Sequence, residues 1–202
     1  MPYAAIDVET TGLDPTTDRI IEVGVAVLDD SLALETTFHT LVNPARPVSA
    51  QHIHHISDEM LSNAPFFTDI IGSLIGILDG HILVAHNAPF DLGFLNAELT
   101  RAATPYSFLR ENAVCTMDQS RIYCSDGSHS LLGLAGRLGI ETPVAHRALA
   151  DALTCSELFQ FYFAAEESGQ RIADYARNRQ GNVILPAEWK RACPWHARFS
   201  TN

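Results

Sequence analysis

The chain opens with an apolar run that closes on two acids, Tyr3-Ala-Ala-Ile-Asp7-Val-Glu9, followed at once by Thr10, Thr11 and Gly12. On a β-strand residues two apart point to the same face, so Asp7 and Glu9 project together while Ile6 and Val8 face the other way. Carboxylates held that close repel each other, and one is driven toward protonation unless a cation intervenes. Mg2+ or Mn2+ would let both stay ionised as hard oxygen ligands. The pair therefore asks for metal chemistry, provided that more carboxylates join it. An isolated D-x-E is common on protein surfaces.

A third acid, Asp91, lies in "LVAHNAPFD", where an apolar strand runs out through His86 and Asn87 into a helix with Pro89 in the favoured first turn. By itself Asp91 need do no more than complement the helix dipole, worth a few tenths to about 1 kcal/mol. A fourth, Asp151, follows His146 in "HRALADAL" at the start of another helix. On one continuous helix, positions five apart diverge by ~140°. His146 is therefore expected in the loop ahead of the helix, free to swing over the site. An imidazole there is suited to take a proton near neutral pH.

The elements that must position these residues follow from periodicity. "YAAIDV", "RIIEVGVAVLD" and "TTFHTLVNP" read as three strands joined by short turns, an antiparallel meander. The period then changes: "FFTDIIGSLIGILDG" is helical with Gly80 as its stop, "HILVAHN" is a buried strand, and "PFDLGFLNAELTRA" is a helix. "AVCTMDQSRIYC" forms a further strand-helix unit, ahead of a short helix "SLLGLAGRLG" and a long amphipathic helix over about 147–166. Three antiparallel strands followed by strand-helix units imply an α/β fold, a mixed sheet of about five strands flanked by helices.

The bulk properties agree with one soluble domain of 202 residues with 47% hydrophobic and 18% charged residues. The first residues lack a basic segment leading into an apolar one, and no apolar run approaches about 18 residues, so a cytoplasmic protein without a membrane anchor is expected. Cys115, Cys124, Cys155 and Cys193 form no CxxC or CxxH cluster, which argues for reduced thiols rather than disulfides or structural zinc. The net charge of −11 argues at first against a nucleic-acid partner. Its distribution is uneven: residues 1–169 carry 7 basic and 22 acidic side chains (−15), residues 170–202 carry 6 basic and 2 acidic (+4). The chain is read as a catalytic domain over 1–169 and a basic extension over 170–202, either a face for a phosphate backbone or partner, or a solvated tail.

Taken in order, Asp7-x-Glu9-Thr-Thr-Gly, Ala85-His-Asn-Ala-x-Phe90-Asp91 and His146-x4-Asp151 resemble the three motifs of the DEDDh family of 3′–5′ exonucleases, which includes the epsilon proofreading subunit of bacterial replicative DNA polymerase. "IIEVGVAVLD", "HHIS" at 54–57 and "HSLLGLAGRLGI" add weaker family-like features, and the likeness spans about residues 3–165. His55 stands where the family usually has glycine, and residues 170–202 match no part of it. The resemblance implies an RNase H-like fold and a two-metal site in which Asp7, Glu9, Asp91 and Asp151 hold two divalent ions, Mg2+ or Mn2+, Asp7 bridging them. It makes His146 the general base.

The resemblance further implies that the turn of Thr10, Thr11, Gly12 and Leu13 meets the 3′-terminal nucleotide, through backbone N–H groups of the threonines and packing of Leu13 on the base. His54 would line the nucleotide pocket, and Asn87 would orient the loop that carries Asp91 and touch the terminal sugar or phosphate. Phe90 is either a base-stacking platform or, more in keeping with a first helical turn, core. An enzyme of this kind grips only a few nucleotides of a single-stranded DNA 3′ end, so an acidic domain suffices. Three other readings stay open: an exoribonuclease or oligonucleotide nuclease on the same scaffold, since RNA is told from DNA by 2′-OH contacts; an accessory protein that binds a DNA polymerase subunit through 170–202; and a metal-dependent phosphomonoesterase, which gives no reason for the His-x4-Asp motif or the Thr-Thr-Gly turn.

Overall fold

The computed structural model describes residues 2–48, 55–142 and 146–197. Five strands form one sheet in the order β3-β2-β1-β4-β5: β1 (Tyr3–Thr10), β2 (Ile20–Leu28), β3 (Leu34–Leu41), β4 (Ile82–Ala85) and β5 (Ala113–Cys115). β1, β2 and β3 are antiparallel neighbours, while β4 pairs parallel with β1 and β5 parallel with β4. This is the mixed sheet that the sequence implies. β1 runs further than the apolar pattern suggests and carries both acids within the strand.

Helices cover both faces. α1 (Asp58–Leu61) is a single turn, and α2 (Phe67–Leu78) and α3 (Ala88–Arg101) pack on the face that receives Ala4, Ile6 and Val8 of β1. α4 (Thr116–Tyr123), α5 (Leu131–Leu138) and α6 (Ala148–Glu167) pack on the opposite face, against Tyr3, Ala5, Ala26 and Leu28. The alternation along β1 thus divides the core in two, and Asp7 and Glu9 continue the row of Tyr3 and Ala5 on the α6 side. α6 is not the one-sided amphipathic helix expected. Besides the sheet it touches α4 and α5, so residues around much of its girth are buried. None of these helices is long and apolar enough to cross a membrane.

Residues 170–197 are not a solvated tail. They form a hairpin of two-residue strands, β6 (Ala176–Arg177) with β7 (Val183–Ile184), then a 3-10 turn at Glu188–Lys190. Trp189, 1% exposed, sits against Phe159, Phe163 and Tyr123, while Trp195 enters the other half of the core beside Phe108. Two basic side chains of this segment form ion pairs, Arg171 with Glu166 and Asp174, and Lys190 with Glu167. Cys115, Cys124 and Cys155 are buried thiols, whereas Cys193 is exposed.

Candidate active site

Three elements, β1, α3 and α6, converge at the end of β1, together with the loop ahead of α6. Asp7 and Glu9 are half-buried on the α6 face of the strand. Asp91, in the first turn of α3, is 3% exposed and its Oδ1 accepts a hydrogen bond from the Val8 N–H at 3.3 Å. The bond runs from the acid-bearing strand itself to a residue 83 positions away and fixes Asp91 beside Asp7. Asp151, 8% exposed in the first turns of α6, accepts from the His146 N–H at 3.2 Å through Oδ2, while its Oδ1 is buried with no hydrogen-bond partner among the described residues. His146 is exposed, lies ahead of the helix as expected, and holds a left-handed φ of 59°. Glu9, His146 and Asp151 offer ligand atoms that all lie within 4.8 Å of one another.

The field of this cluster is strongly negative. Burial, and then the charges of Asp91, Asp151, Glu9 and Glu22, push the Asp7 carboxyl well above the ordinary carboxylate range. Glu9 is pushed up to about 8 by burial and by Asp151, Glu22 and Asp91, with Arg147 opposing. Burial raises Asp91 to about 7 against the Val8 hydrogen bond. Asp151 is raised by burial, with His146 opposing. Four carboxylates in one buried site cannot all ionise near neutral pH without added positive charge. A buried carboxylate oxygen without a partner and an all-oxygen donor set fit a divalent hard cation.

Sequence reasoning missed Glu22. It lies opposite Glu9 in the β1–β2 register, is fully buried, and accepts hydrogen bonds from Arg147 Nε (3.0 and 3.2 Å), Arg147 Nη2 (2.7 Å) and the Ala148 N–H (3.0 Å). His39 Nε2 lies 2.6 Å from its Oε1. Burial alone would raise the Glu22 carboxyl; Arg147, the Ala148 amide and His39 outweigh it and hold the group below its ordinary value. A signal was present: Glu22 interrupts an otherwise apolar nine-residue strand, and a buried charge must be paired.

The turn after β1 departs in part from expectation. The Thr11 N–H donates to the Arg19 carbonyl at 2.9 Å, so this amide closes the turn and is not free to meet a nucleotide. Thr10 and Thr11 are buried, with Thr10 Oγ1 donating to the Gly12 carbonyl and Thr11 Oγ1 to Asp18. Gly12 leaves room for the Asp18 carboxylate, whose Oδ2 a Cβ would meet at 2.3 Å, rather than supplying an unusual φ. Leu13 is 84% exposed, a large apolar side chain left in water in the turn that follows β1. Asn87 is exposed at φ 106°, the left-handed residue that turns β4 into α3. Phe90 is partly buried against Phe94, centroids 4.9 Å apart, which favours the core role. His54 lies outside the described residues; the neighbouring His55 takes the left-handed conformation at φ 56° that a glycine would adopt more cheaply.

His86, between β4 and this turn, contacts Thr116 Oγ1 through Nδ1 and the His129 carbonyl through Nε2, both at 3.0 Å. Burial lowers its pKa to about 4, so it is a neutral structural tie between the Asp91 loop and α4.

Comparison with known proteins agrees with this geometry. The chain is 39% identical over 176 residues to the DNA polymerase III subunit epsilon of Treponema pallidum (strain Nichols), an alignment covering 84% of the chain and 81% of that protein. It is 33% identical to the PolC-type DNA polymerase III of Bacillus subtilis (strain 168), covering 96% of the chain but 14% of that much longer protein. Among solved structures, exonuclease X in complex with 5′ overhanging duplex DNA superposes with a TM-score of 0.62 at 27% identity, covering 83% of this chain and 93% of that one. Exonuclease I, at 15% identity and a TM-score of 0.72, shares the RNase H-like fold, covering 83% of this chain and 44% of its own. The model of the RNase T exonuclease family matches residues 4–159, and the chain belongs to that family.

Proposed function

We propose that the protein is a 3′–5′ exodeoxyribonuclease that removes nucleotides from a single-stranded DNA end by a two-metal mechanism, in proofreading or repair. The observation that carries this reading is the convergence of Asp7, Glu9, Asp91 and Asp151 from three separate elements, close enough that Asp91 and Asp151 raise the pKa of both Asp7 and Glu9, with a buried Asp151 Oδ1 that has no partner among the described residues. These four carboxylates are the residues that would hold Mg2+ or Mn2+. When bound, such ions polarise the scissile phosphodiester, acidify water and stabilise the departing 3′-oxygen.

The chain's own residues do the rest. His146, exposed and close to Glu9 and Asp151, accepts the proton of the attacking water at a ring nitrogen. Its N–H bond to Asp151 ties the base to the ligand set. Leu13 packs on the terminal base, Thr10 and Gly12 shape the turn beneath it, and Asn87 holds the Asp91 loop. The similarity to proteins named DNA polymerase III subunit epsilon and PolC-type DNA polymerase III supports DNA as the substrate and a polymerase subunit as a partner.

Digestion of matched 5′-labelled single-stranded DNA and RNA with Mg2+ or EDTA tests the proposal. A ladder shortening from the 3′ end on DNA, absent with EDTA and in Asp7→Ala, is expected. Preference for RNA, or cleavage unaffected by Asp7→Ala, would overturn it.

A further inference from the structure

We infer that Glu22, acting through Arg147, is a positioning residue for the catalytic centre: it fixes the first turn of α6 on the sheet, and with it His146 and Asp151. The inference rests on the exonuclease reading of the site for its catalytic consequence, though not for its structural one.

Arg147 joins the two. It follows His146 in the chain, its carbonyl accepts the Asp151 N–H at 2.9 Å, and its guanidinium grips the Glu22 carboxylate through Nε and Nη2. Arg147 is also the residue that precedes α6, and its side chain makes no capping bond to its own helix. The cap comes from the sheet instead: Glu22 Oε2 accepts the Ala148 N–H, one of the amides a helix start leaves unpaired. A carboxylate at a helix N-terminus is favoured by the dipole as well.

Two residues along β2, Gly24 fixes the height. A Cβ there would lie 2.2 Å from the Leu149 nitrogen and 2.3 Å from the Ala148 carbonyl carbon, so helix backbone rests directly on strand backbone. Glu22 and Gly24 together leave the start of α6 no freedom to slide along the sheet or lift from it. Buried ion pairs are weak sources of stability relative to apolar packing. What only a carboxylate supplies at position 22 is a bidentate partner for arginine plus an acceptor for a helix amide. The geometry it enforces is the one in which Asp151 and His146 reach Glu9.

The test is a set of variants: Arg147→Met, Arg147→Lys, Glu22→Gln and the Glu22→Gln/Arg147→Met double. Each is assayed for kcat and KM on a 5′-labelled oligonucleotide, for Mn2+ affinity by electron paramagnetic resonance, and for amide hydrogen exchange. The expected result is a roughly 10- to 100-fold loss of kcat or Mn2+ affinity, as for other residues that orient metal ligands, with KM for the oligonucleotide unchanged. Exchange should accelerate over 148–151 while the 158–165 stretch of α6 keeps its protection. Arg147→Lys should not rescue, because a point charge cannot reproduce the fork. The double variant should lose no more than the worse single, since both act through one contact.

Arg147 is partly exposed, so its variants remain informative even if Glu22→Gln fails to fold. Wild-type kcat, Mn2+ affinity and exchange in Arg147→Met would overturn the inference, as would additive losses in the double. Wild-type protein that cleaves nothing would overturn the exonuclease reading alone; the exchange and Mn2+ measurements would still decide the positioning role.

Discussion

Glu9 and Glu22 stand directly opposite each other on the β1–β2 ladder, and their surroundings give them opposite fates. Glu22 is enclosed by Arg147, the Ala148 amide and His39 and is held below the ordinary glutamate pKa. Glu9 faces Asp151, Glu22 and Asp91, with Arg147 in partial opposition, and is pushed up to about 8. Like charges directly opposed on a ladder are destabilising. Glu22 is structural because its charge is already balanced; the charge of Glu9 is not.

A pH dependence of stability follows. The folded-state pKa values of Asp7, Glu9, Asp91 and Asp151 all lie above their unfolded values, so the folded chain binds more protons and stability falls as pH rises. For Glu9 the loss spans about pH 4.5 to about 8. Metal-free protein in EDTA should therefore show a melting temperature that declines most steeply above about pH 6.5, because below that His86, held at about 4, works in the opposite direction. Mn2+ should restore more stability at pH 8 than at pH 5. A melting temperature in EDTA that rises through the same range would contradict the electrostatic description of the site.

His146→Ala should lower kcat by roughly 10²–10⁴ and leave Mn2+ affinity and DNA binding near wild type. Steady-state kinetics beside a Mn2+ titration separates two roles. Loss of turnover alone identifies a proton acceptor; parallel loss of Mn2+ affinity would make His146 a ligand, a role its proximity to Glu9 and Asp151 also permits.

Gly24→Ala should destabilise the fold by about 1–3 kcal/mol, the usual cost of overpacking, because its Cβ would meet helix backbone that cannot rotate away. Chemical denaturation gives the stability. Activity should fall with it, since α6 must shift. Wild-type stability would show that the helix does not rest on β2 as closely as described.

Trp189→Ala should cost about 3–5 kcal/mol, since the indole is enclosed by Phe159, Phe163 and Tyr123. A solvated tail would tolerate the change, so a denaturation midpoint equal to wild type would count against the packing of residues 170–197.

His55→Gly should stabilise the protein by about 0.5–1 kcal/mol by relieving a left-handed backbone at a non-glycine residue. Unchanged or lower stability would mean that the histidine side chain makes compensating contacts.

Much of this was legible in the chain itself. Alternation along "YAAIDVET" put Asp7 and Glu9 on one face, and the loop-to-helix reading placed His146 ahead of α6 and Asp151 within it. These are local patterns with fixed periods. What stayed hidden depends on contacts distant in sequence. Glu22 reads as a charge in an apolar strand, and its partner lies 125 residues away. Gly24 matters only because helix backbone arrives above it. The segment after residue 170 is basic and turn-rich, and nothing local announces that Trp189 and Trp195 enter separate halves of the core.

The most direct test of the site is calorimetric titration of Mn2+ into the protein at pH 7.5 in buffers of different ionisation enthalpy, with Asp7→Ala alongside. The expected result is saturable binding with net release of protons, because the raised carboxyls must ionise to ligate, and its loss in Asp7→Ala. Binding without proton release, or binding undiminished in Asp7→Ala, would contradict the placement of the metal among these four acids.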